Sequence, residues 1–178
     1  MGRHHPPLNM PYTVAHQETL YDYIRFRSRN EARFAVMFNA LKVPWEYEPT
    51  WFTFDVRPGS ALAATHPSGH MKYLPDLYLP EADTYLEIKP KEPTTAECVK
   101  VYCLARQLKA DVHVLWHHKK TLLLTVDQDG TFHTGHALQQ CVTCGKLRFR
   151  TPPCEHTVFS ANTKALKEAR TLGVNHVF

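Results

Sequence analysis

The chain has 178 residues and a formal net charge of +4, with 43% hydrophobic and 21% charged residues. These fractions are typical of a globular protein, and no stretch approaches the about 18 consecutive apolar residues that a membrane-spanning helix needs. We therefore expect no membrane protein, and the length favours one domain of about 100 to 150 residues with a small appendage. The mild positive charge is weak evidence for a polyanionic partner.

The N-terminal segment carries no targeting signal that we can identify. Residues 1–11 lack the apolar core of a signal peptide, and Pro6 stands where a myristoylation signal requires Ser or Thr. The five cysteines are an odd number, which in a reducing compartment favours metal ligands or free thiols over disulfides. We expect an intracellular, cytoplasmic protein with residues 1–27 as an N-terminal extension.

Three segments have apolar residues at helical spacing. The first begins at Ser28 and ends before Pro44, the second follows Pro93 and spans 94–110, and the third covers about 160–172. Between them lie five strand-like runs, at 45–56, 72–79, 84–89, 111–116 and 121–126. The order of helix, strands, helix and strands predicts an α/β core.

Two connecting segments between these elements have a recognisable character. Residues 57–70 are rich in Pro, Gly, Ser and His without periodicity, which predicts an exposed loop. Residues 80–83 separate two strand-like runs and predict a hairpin turn. The stretch 127–140 is polar and leads into a cysteine-rich segment.

Two acidic residues fall opposite each other on the predicted hairpin. If Leu79 pairs with Thr84 across the turn, Asp76 lies opposite Glu87, where like charges destabilise a sheet unless they are compensated. A divalent cation between the carboxylates would remove the repulsion. Lys89 points to the same face, where an ammonium can orient or deprotonate a water or neutralise charge during phosphodiester cleavage.

An alternative explains the same three charges without chemistry. They can belong to a surface hairpin whose side chains are solvated, with Lys89 neutralising one of the carboxylates. Without further context, isolated charges on strands favour this alternative. The other face of the hairpin carries Leu77, Leu86 and Ile88, an alternation that supports the assumed register.

Pro75-Asp76 followed by Glu87-Ile88-Lys89 resembles the PD-(D/E)XK signature of the restriction-endonuclease-like nuclease superfamily. The superfamily core is a helix, a three-strand meander carrying the acidic residues, a second helix and a further strand, which would correspond to about 28–116. The resemblance implies an αβββαβ core with a mixed central sheet. It also implies that Asp76 and Glu87 bind Mg²⁺ or Mn²⁺ while Lys89 assists the attacking water.

Further residues extend the resemblance. Residues 28–49 together with Tyr73-Leu74-Pro75-Asp76 are similar to the endonuclease subunits of heteromeric transposases and to related phage nucleases. Many superfamily members place a metal-binding glutamate on the first helix, where Glu31 stands. Ser28 and Glu31 equally fit a capping box, in which the glutamate satisfies a backbone N–H. Both interpretations of Glu31 stay open.

The second helix of the superfamily lies beside the site and can supply a basic or amide side chain. Lys100 and Gln107 are the candidates on the predicted helix. A solvated position on the helix surface is the better-supported interpretation for both.

The cysteine-rich segment has the spacing of a zinc site. Cys141 and Cys144, followed by Gly145, form a knuckle in which a tight turn lets two thiolates hold one ion. Cys154 and His156 complete a Cys₃His set, and four protein ligands leave no open position for catalysis. The spacing therefore predicts a structural Zn²⁺, with free thiols near a chance histidine as the alternative.

Basic residues lie between the two ligand pairs. Lys146, Arg148 and Arg150 alternate and should project from one face of a small hairpin, where they either contact phosphates or are merely solvated. His133 and His136 are weaker candidates as metal ligands. The predicted organisation is an extension, a nuclease core and a zinc-binding subdomain with a C-terminal helix, at 1–27, 28–135 and 136–178.

Three functional classes are compatible with these features. The first is a metal-dependent DNA endonuclease of a mobile element or phage. In this class, the zinc finger formed around Cys141, Cys144, Cys154 and His156 or the 57–70 loop positions DNA. A homodimer or a partner protein completes recognition. The second is a catalytically silent nuclease fold that binds nucleic acid or protein through its zinc finger, and the third is a zinc-stapled protein-interaction domain. Silent members usually lose an acidic residue or the lysine, so the presence of Asp76, Glu87 and Lys89 favours the enzyme.

Overall fold

The computed structural model describes residues 17–59, 63–116, 122–149 and 153–178. The predictions for residues 1–16 and for Arg150 lie outside the described residues. The elements in chain order are β1 (Thr19–Tyr21), β2 (Ile24–Phe26), α1 (Arg29–Ala40), β3 (Glu46–Tyr47), β4 (Phe52–Asp55), β5 (His70–Tyr73), β6 (Leu77–Leu79), a 3₁₀ turn (Pro80–Ala82), β7 (Thr84–Lys89), α2 (Thr95–Leu108), β8 (Val112–Trp116), β9 (Leu122–Val126), β10 (Phe132–Ala137), β11 (Gln139–Cys141), β12 (Leu147–Arg148), β13 (Phe159–Ser160) and α3 (Lys164–Asn175).

A six-stranded sheet with the order β10-β9-β8-β7-β6-β3 forms the centre of the fold. Strands β7 and β8 are parallel and are joined by α2, whereas the other neighbours are antiparallel. The sheet is therefore mixed, and the predicted mixed α/β class is confirmed. A helical crossover of this kind is what a parallel pair requires.

The hairpin formed by β6 and β7 has the predicted register. Leu79 pairs with Thr84, and Leu77 pairs with Leu86, so Asp76, the residue before β6, stands opposite Glu87. Leu77, Leu86 and Ile88 are buried in one apolar cluster, as the alternation predicted.

The prediction of one continuous strand over 72–79 is wrong. Its first part belongs to β5, which pairs with β4 in a separate two-stranded ribbon, and its second part is β6. Pro75 lies between them and has no N–H for a sheet hydrogen bond, which explains the interruption. The run 45–56 is likewise divided into β3 and β4, near Glu48 with its positive φ of 46°.

Helices α1 and α2 begin close to the predicted positions, and the cap at Ser28 is the one that the S-x-x-E pattern predicted. Ser28 caps α1 and Thr94 caps α2, in each case by a side-chain oxygen that accepts a backbone N–H from the third helical residue. The α2 cap is a full capping box completed by Glu97. The third helix begins after Thr163, a few residues later than predicted.

Each face of the sheet is covered by an apolar cluster. One cluster joins the sheet to α1 and α3 through residues such as Phe34, Phe38 and Leu166. The other joins it to α2 and the β4–β5 ribbon through residues such as Leu104 and Phe54. The two layers fix the ends of β6 and β7 between α1 and α2.

The C-terminal part forms a small sheet with the order β12-β11-β13. Leu138 and Leu147 from this part are buried in the same cluster as Phe34 of α1. The predicted boundary between 135 and 136 stays a prediction. Strand β10 lies in the stretch 127–140, whose polar composition predicts no strand. Among the described residues, no helix combines the length and apolarity needed to cross a bilayer.

Candidate functional site

The three residues of the sequence motif meet at one end of the β6–β7 hairpin. Asp76 is 4% exposed and Glu87 is 7% exposed, and Lys89 is partly buried beside them. They line a cleft of about 970 Å³ that runs between α1, α2 and the β4–β5 ribbon. The carboxylates are therefore not solvated groups on a surface hairpin, although Lys89 does neutralise one of them.

The oxygens of Glu87 have two partners. Lys89 Nζ lies 2.6 Å from Glu87 Oε1, and the buried Tyr73 hydroxyl donates to Glu87 Oε2 at 2.6 Å. Lys89 Nζ also lies 3.3 Å from Glu97 Oε1, at the start of α2. The ammonium is thus held between a strand carboxylate and a helix-capping carboxylate.

The carboxylate of Asp76 is held from the backbone and from the N-terminal segment. Its Oδ2 accepts the Ile88 backbone N–H at 2.6 Å, and its Oδ1 accepts from Arg27 Nη2 at 3.0 Å. Arg27 also forms an ion pair with Glu48. These contacts fix Asp76 across the hairpin from Glu87.

The electrostatics of the site follow from burial and charge crowding. Burial raises the pKa of Asp76 well above its ordinary value, and the charges of Glu87 and Glu31 raise it further, against the Ile88 N–H and Lys89. Burial acts to lower the pKa of Lys89, but Glu87 and the other carboxylates outweigh it and raise that pKa. Lys89 is therefore protonated at neutral pH and acts as a hydrogen-bond donor. In this state it is suited to orient a water molecule or a phosphate group and is less suited to deprotonate the water.

Glu31 is buried at the N-terminus of α1 and lines the same cleft. Its backbone N–H donates to Ser28 Oγ at 3.3 Å, as in a cap. Its carboxylate accepts from the Ser28 hydroxyl at 2.6 Å and from the Tyr47 hydroxyl at 2.8 Å. The backbone of Glu31 thus takes part in capping α1, and the charge of its carboxylate contributes to raising the pKa of Asp76.

Several residues of the site were missed by the sequence analysis. Arg27 and Tyr73 bear no local signal, because they reach Asp76 and Glu87 only through the tertiary fold. Glu97 had a signal, since Thr94 and Glu97 fit the T-x-x-E capping box. Of the two α2 candidates, Lys100 lines the cleft, whereas Gln107 is exposed and is not among the cleft-lining residues.

Asn30 contributes an unusual buried group to the cleft. Its Nδ2 donates to the Lys89 carbonyl oxygen at 2.8 Å. Its Oδ1 is buried and has no hydrogen-bond partner among the described residues. Buried acceptors without a protein partner are uncommon, so Asn30 Oδ1 is available to accept a hydrogen bond in the cleft.

Cys141, Cys144, Cys154 and His156 come together as predicted, with their ligand atoms all within 4.8 Å of one another. This cluster can bind a metal ion such as zinc. Burial opposes ionisation of Cys141, but N–H groups of Cys144 and Thr143 and the neighbouring thiols lower its pKa to about 6. Gly145 adopts a φ of +76°, which the tight turn of the knuckle requires.

The other predicted ligands and basic residues have separate positions. His133 Nε2 contacts Asp127 Oδ2 at 2.9 Å, away from the cysteines, and the side chain of His136 lies outside the described part. The Arg148 guanidinium lies over the Phe159 ring at 5.0 Å. Lys146 lines a second cavity, of about 520 Å³, together with Leu147 and Phe149.

The two candidate metal sites differ in compactness. Among the described residues, the carboxylate oxygens of Asp76, Glu87 and Glu31 do not form a group as close as the Cys₃His cluster. They contact Arg27, Lys89, Ser28 and Tyr47 instead. No protein-family model, curated protein or solved structure matches the chain. The chemistry is therefore inferred from the residues themselves.

Proposed function

We propose that this chain is a metal-dependent DNA endonuclease with a restriction-endonuclease-like core. The observation that carries the proposal is the joint burial of Asp76, Glu87 and Lys89 on one face of a hairpin, at the wall of a large cleft. Crowded buried carboxylates with an adjacent ammonium are costly for folding and are typical of catalytic sites. The parallel pairing of β7 with β8 through α2 supports the proposed core.

The residues of the cleft suit a hard divalent cation. Asp76, Glu87 and Glu31 offer the carboxylate oxygens that Mg²⁺ and Mn²⁺ prefer. Burial raises the pKa of Asp76, and the negative charges of Glu87 and Glu31, which a cation would compensate, raise it further. The buried Oδ1 of Asn30 can accept a hydrogen bond from water in the same cleft. When bound, the cation would act as a Lewis acid on the phosphodiester.

The protein groups have distinct tasks in this proposal. Protonated Lys89 donates to the attacking water or to a phosphate oxygen, and Glu87 and Glu97 fix its position. Tyr73 holds the Glu87 carboxylate by its second oxygen. Arg27 and the Ile88 N–H hold Asp76, so that both carboxylates keep their orientation.

In the same proposal, the Cys₃His cluster has a structural role and no catalytic one. Its four ligands would close the coordination of Zn²⁺ and leave no position for a reacting water. Zinc there would fix the turn that contains Gly145 and the small sheet of β11, β12 and β13. Lys146 and Arg148 remain candidates for phosphate contact.

A second candidate is a catalytically silent nucleic-acid-binding or protein-interaction module. The ion pairs Lys89–Glu87 and Arg27–Asp76 favour it, because they already compensate much of the carboxylate charge. In such a module the cluster would hold the hairpin, α1 and α2 together. It predicts no effect of Mg²⁺ or Mn²⁺ on the core.

The test is cleavage of supercoiled and branched DNA in Mg²⁺ or Mn²⁺ by the native chain, Asp76→Asn and Lys89→Ala. Glu46→Gln and Lys167→Ala are matched controls, because both residues are exposed and outside the cleft. We expect cleavage by the native chain and both controls and its loss in both site variants, with unchanged circular dichroism. Cleavage that survives in the site variants, or none by the folded native chain on any substrate, would contradict the proposal.

A further inference from the structure

A large aromatic side chain is left in solvent at the wall of the cleft. Trp51 is 63% exposed, yet it lines the same cleft as Asp76, Glu87 and Lys89. Tryptophan carries a large apolar ring system, and an indole at the wall of a cleft can pack against a bound molecule. Trp45 and Trp116, the other tryptophans, are largely covered.

The β4–β5 ribbon fixes where Trp51 lies. Phe52 pairs with Tyr73, and Thr53 pairs with Lys72. Because side chains alternate along a strand, Trp51 shares the outer face of the ribbon with Lys72, whereas Tyr73 belongs to the inner face. Tyr73 in turn donates to Glu87, so the ribbon that Trp51 precedes is anchored to the carboxylate site.

The charges that line this cleft are not equally compensated. Of the acidic side chains that line it, Glu18, Asp76, Glu87 and Glu97 each form an ion pair, whereas Glu31 accepts from two hydroxyl groups and has no ion pair among the described residues. Arg29, Lys72 and Lys100 line the cleft and have no ion-pair partner among the described residues. The buried Nε of Arg29 also lacks a hydrogen-bond partner there. These three cations outnumber the one unpaired carboxylate, that of Glu31, so the charge left without an ion pair is positive on balance and complements a phosphate backbone.

An exposed indole in the same cleft as unpaired cations is an arrangement that suits single-stranded nucleic acid. Cationic side chains follow the backbone, and aromatic rings stack on bases. In a continuous duplex both faces of a base are already covered by neighbouring bases. An indole at the surface can therefore stack only on a base that has left the duplex.

We propose that Trp51 stacks on an unpaired base of the DNA strand that enters the cleft, with Arg29, Lys72 and Lys100 contacting its phosphates. This inference rests on the proposed nuclease function and deepens it. The substrate class is then DNA with a single-stranded segment next to the scissile phosphate, such as a flap, a fork or a free strand. Continuous duplex is a poorer substrate.

Binding without cleavage gives the first test. The anisotropy of a fluorescein-labelled 12-nucleotide strand and of the matching duplex is measured in Ca²⁺ with the native chain, Trp51→Ala and Trp51→Phe. We expect Trp51→Ala to weaken single-strand binding by roughly 5-fold to 150-fold, the range of a base–aromatic stack, and to change duplex binding far less. Trp51→Phe should retain most of the affinity, because it keeps an aromatic face.

A matched control and a spectroscopic readout sharpen the test. Tyr23→Ala removes another aromatic side chain, which is 99% exposed and lies outside the cleft lining, and should leave both affinities unchanged. Tryptophan emission of the native chain should be quenched by the single strand, and Trp51→Phe should abolish this quenching. Unchanged single-strand affinity in Trp51→Ala, or an equal loss for both DNAs, would overturn the inference.

Cleavage separates this inference from the function on which it rests. If Asp76→Asn abolishes cleavage while Trp51→Ala cleaves flap and duplex DNA in the native ratio, the nuclease stands and the stacking role fails. If the native chain cleaves nothing but Trp51→Ala still loses single-strand binding selectively, the nuclease fails and the strand-binding surface stands.

Discussion

Arg27 Nη2 donates to Asp76 Oδ1 at 3.0 Å and thereby joins the residue before the α1 cap to the start of β6. This contact places the N-terminal segment, predicted as an extension, at the wall of the candidate site. It also couples the folding of the β1–β2 hairpin to the orientation of a buried carboxylate.

The charge of Asp76 should make stability depend on pH. Its pKa is raised above the ordinary 3.8, mainly by burial and then by Glu87. The stability that Asp76 contributes is therefore complete below pH 3.8 and is lost as the pH rises to the raised pKa, at about 1.4 kcal/mol per pH unit. Asp76→Asn stays neutral and should become the more stable protein as the pH rises to 7.

Urea unfolding of the two proteins from pH 4 to pH 8, without Mg²⁺ or Mn²⁺, measures this difference. Glu46→Gln, at an exposed glutamate, is the control and should follow the native curve. An unfolding free energy of Asp76→Asn that falls below the native value at pH 7 would contradict the crowding of charge at the site.

Tyr73 should matter for the site as well as for the fold. Tyr73→Phe leaves Glu87 Oε2 without its hydroxyl donor, which should cost about 1 to 3 kcal/mol of unfolding free energy. Cleavage should fall by roughly 10-fold to 100-fold, because groups that orient metal-binding carboxylates have effects of this size.

Tyr78→Phe is the control for Tyr73, since its hydroxyl donates to the exposed Asp83 and not to the site. Rates with each variant are measured at saturating Mn²⁺ and compared with thermal melts. A Tyr73→Phe protein that is destabilised but cleaves at the native rate would show that Tyr73 serves the fold alone.

The Cys₃His cluster should hold zinc in solution. Cys144→Ser should lose the metal and lower the melting temperature by on the order of 10 °C, because a structural zinc contributes directly to folding. Cys98→Ser, at a free thiol on α2, should keep both the metal and the melting temperature. Elemental analysis of the purified proteins checks the stoichiometry, and an equal zinc content in Cys144→Ser would argue against this site.

The contact between α3 and α1 depends on a glycine. A Cβ at Gly173 would lie 2.5 Å from the Arg33 carbonyl oxygen, so Gly173→Ala must push the two helices apart. We expect a loss of about 1 to 3 kcal/mol, which exceeds the gain in helix propensity. Leu172→Ala, at an exposed neighbour, is the control in urea unfolding, and a Gly173→Ala protein as stable as this control would refute the close approach.

Local patterns allowed several features to be predicted from the sequence. Strand β7 has the predicted bounds, because Leu86 and Ile88 alternate with Glu87 and Lys89. The pairing of Leu79 with Thr84 followed from the length of the turn. The cysteine cluster followed from ligand spacing, which zinc geometry restricts.

Features that depend on distant parts of the chain could not be predicted. Strand β10 was missed because its residues are polar and its pairing with β9 shifts register between His133 and His136. The break at Pro75 separates two strands that belong to different sheets. Tertiary contacts, and not the local sequence, determine which sheet each strand joins. Trp51 has no periodic signal, and its exposure is a property of the folded cleft.

If Asp76 and Glu87 together hold a divalent cation, as proposed, calorimetric titration with Mn²⁺ will detect an ion whose binding depends on both carboxylates. The zinc-loaded native chain should bind Mn²⁺ with a stoichiometry that Asp76→Asn and Glu87→Gln both lower by one ion, while Glu46→Gln keeps the native value. Binding of one ion should also raise the melting temperature of the native chain and not that of the two site variants. Identical titrations for the native chain and both site variants would contradict the claim and favour the silent module.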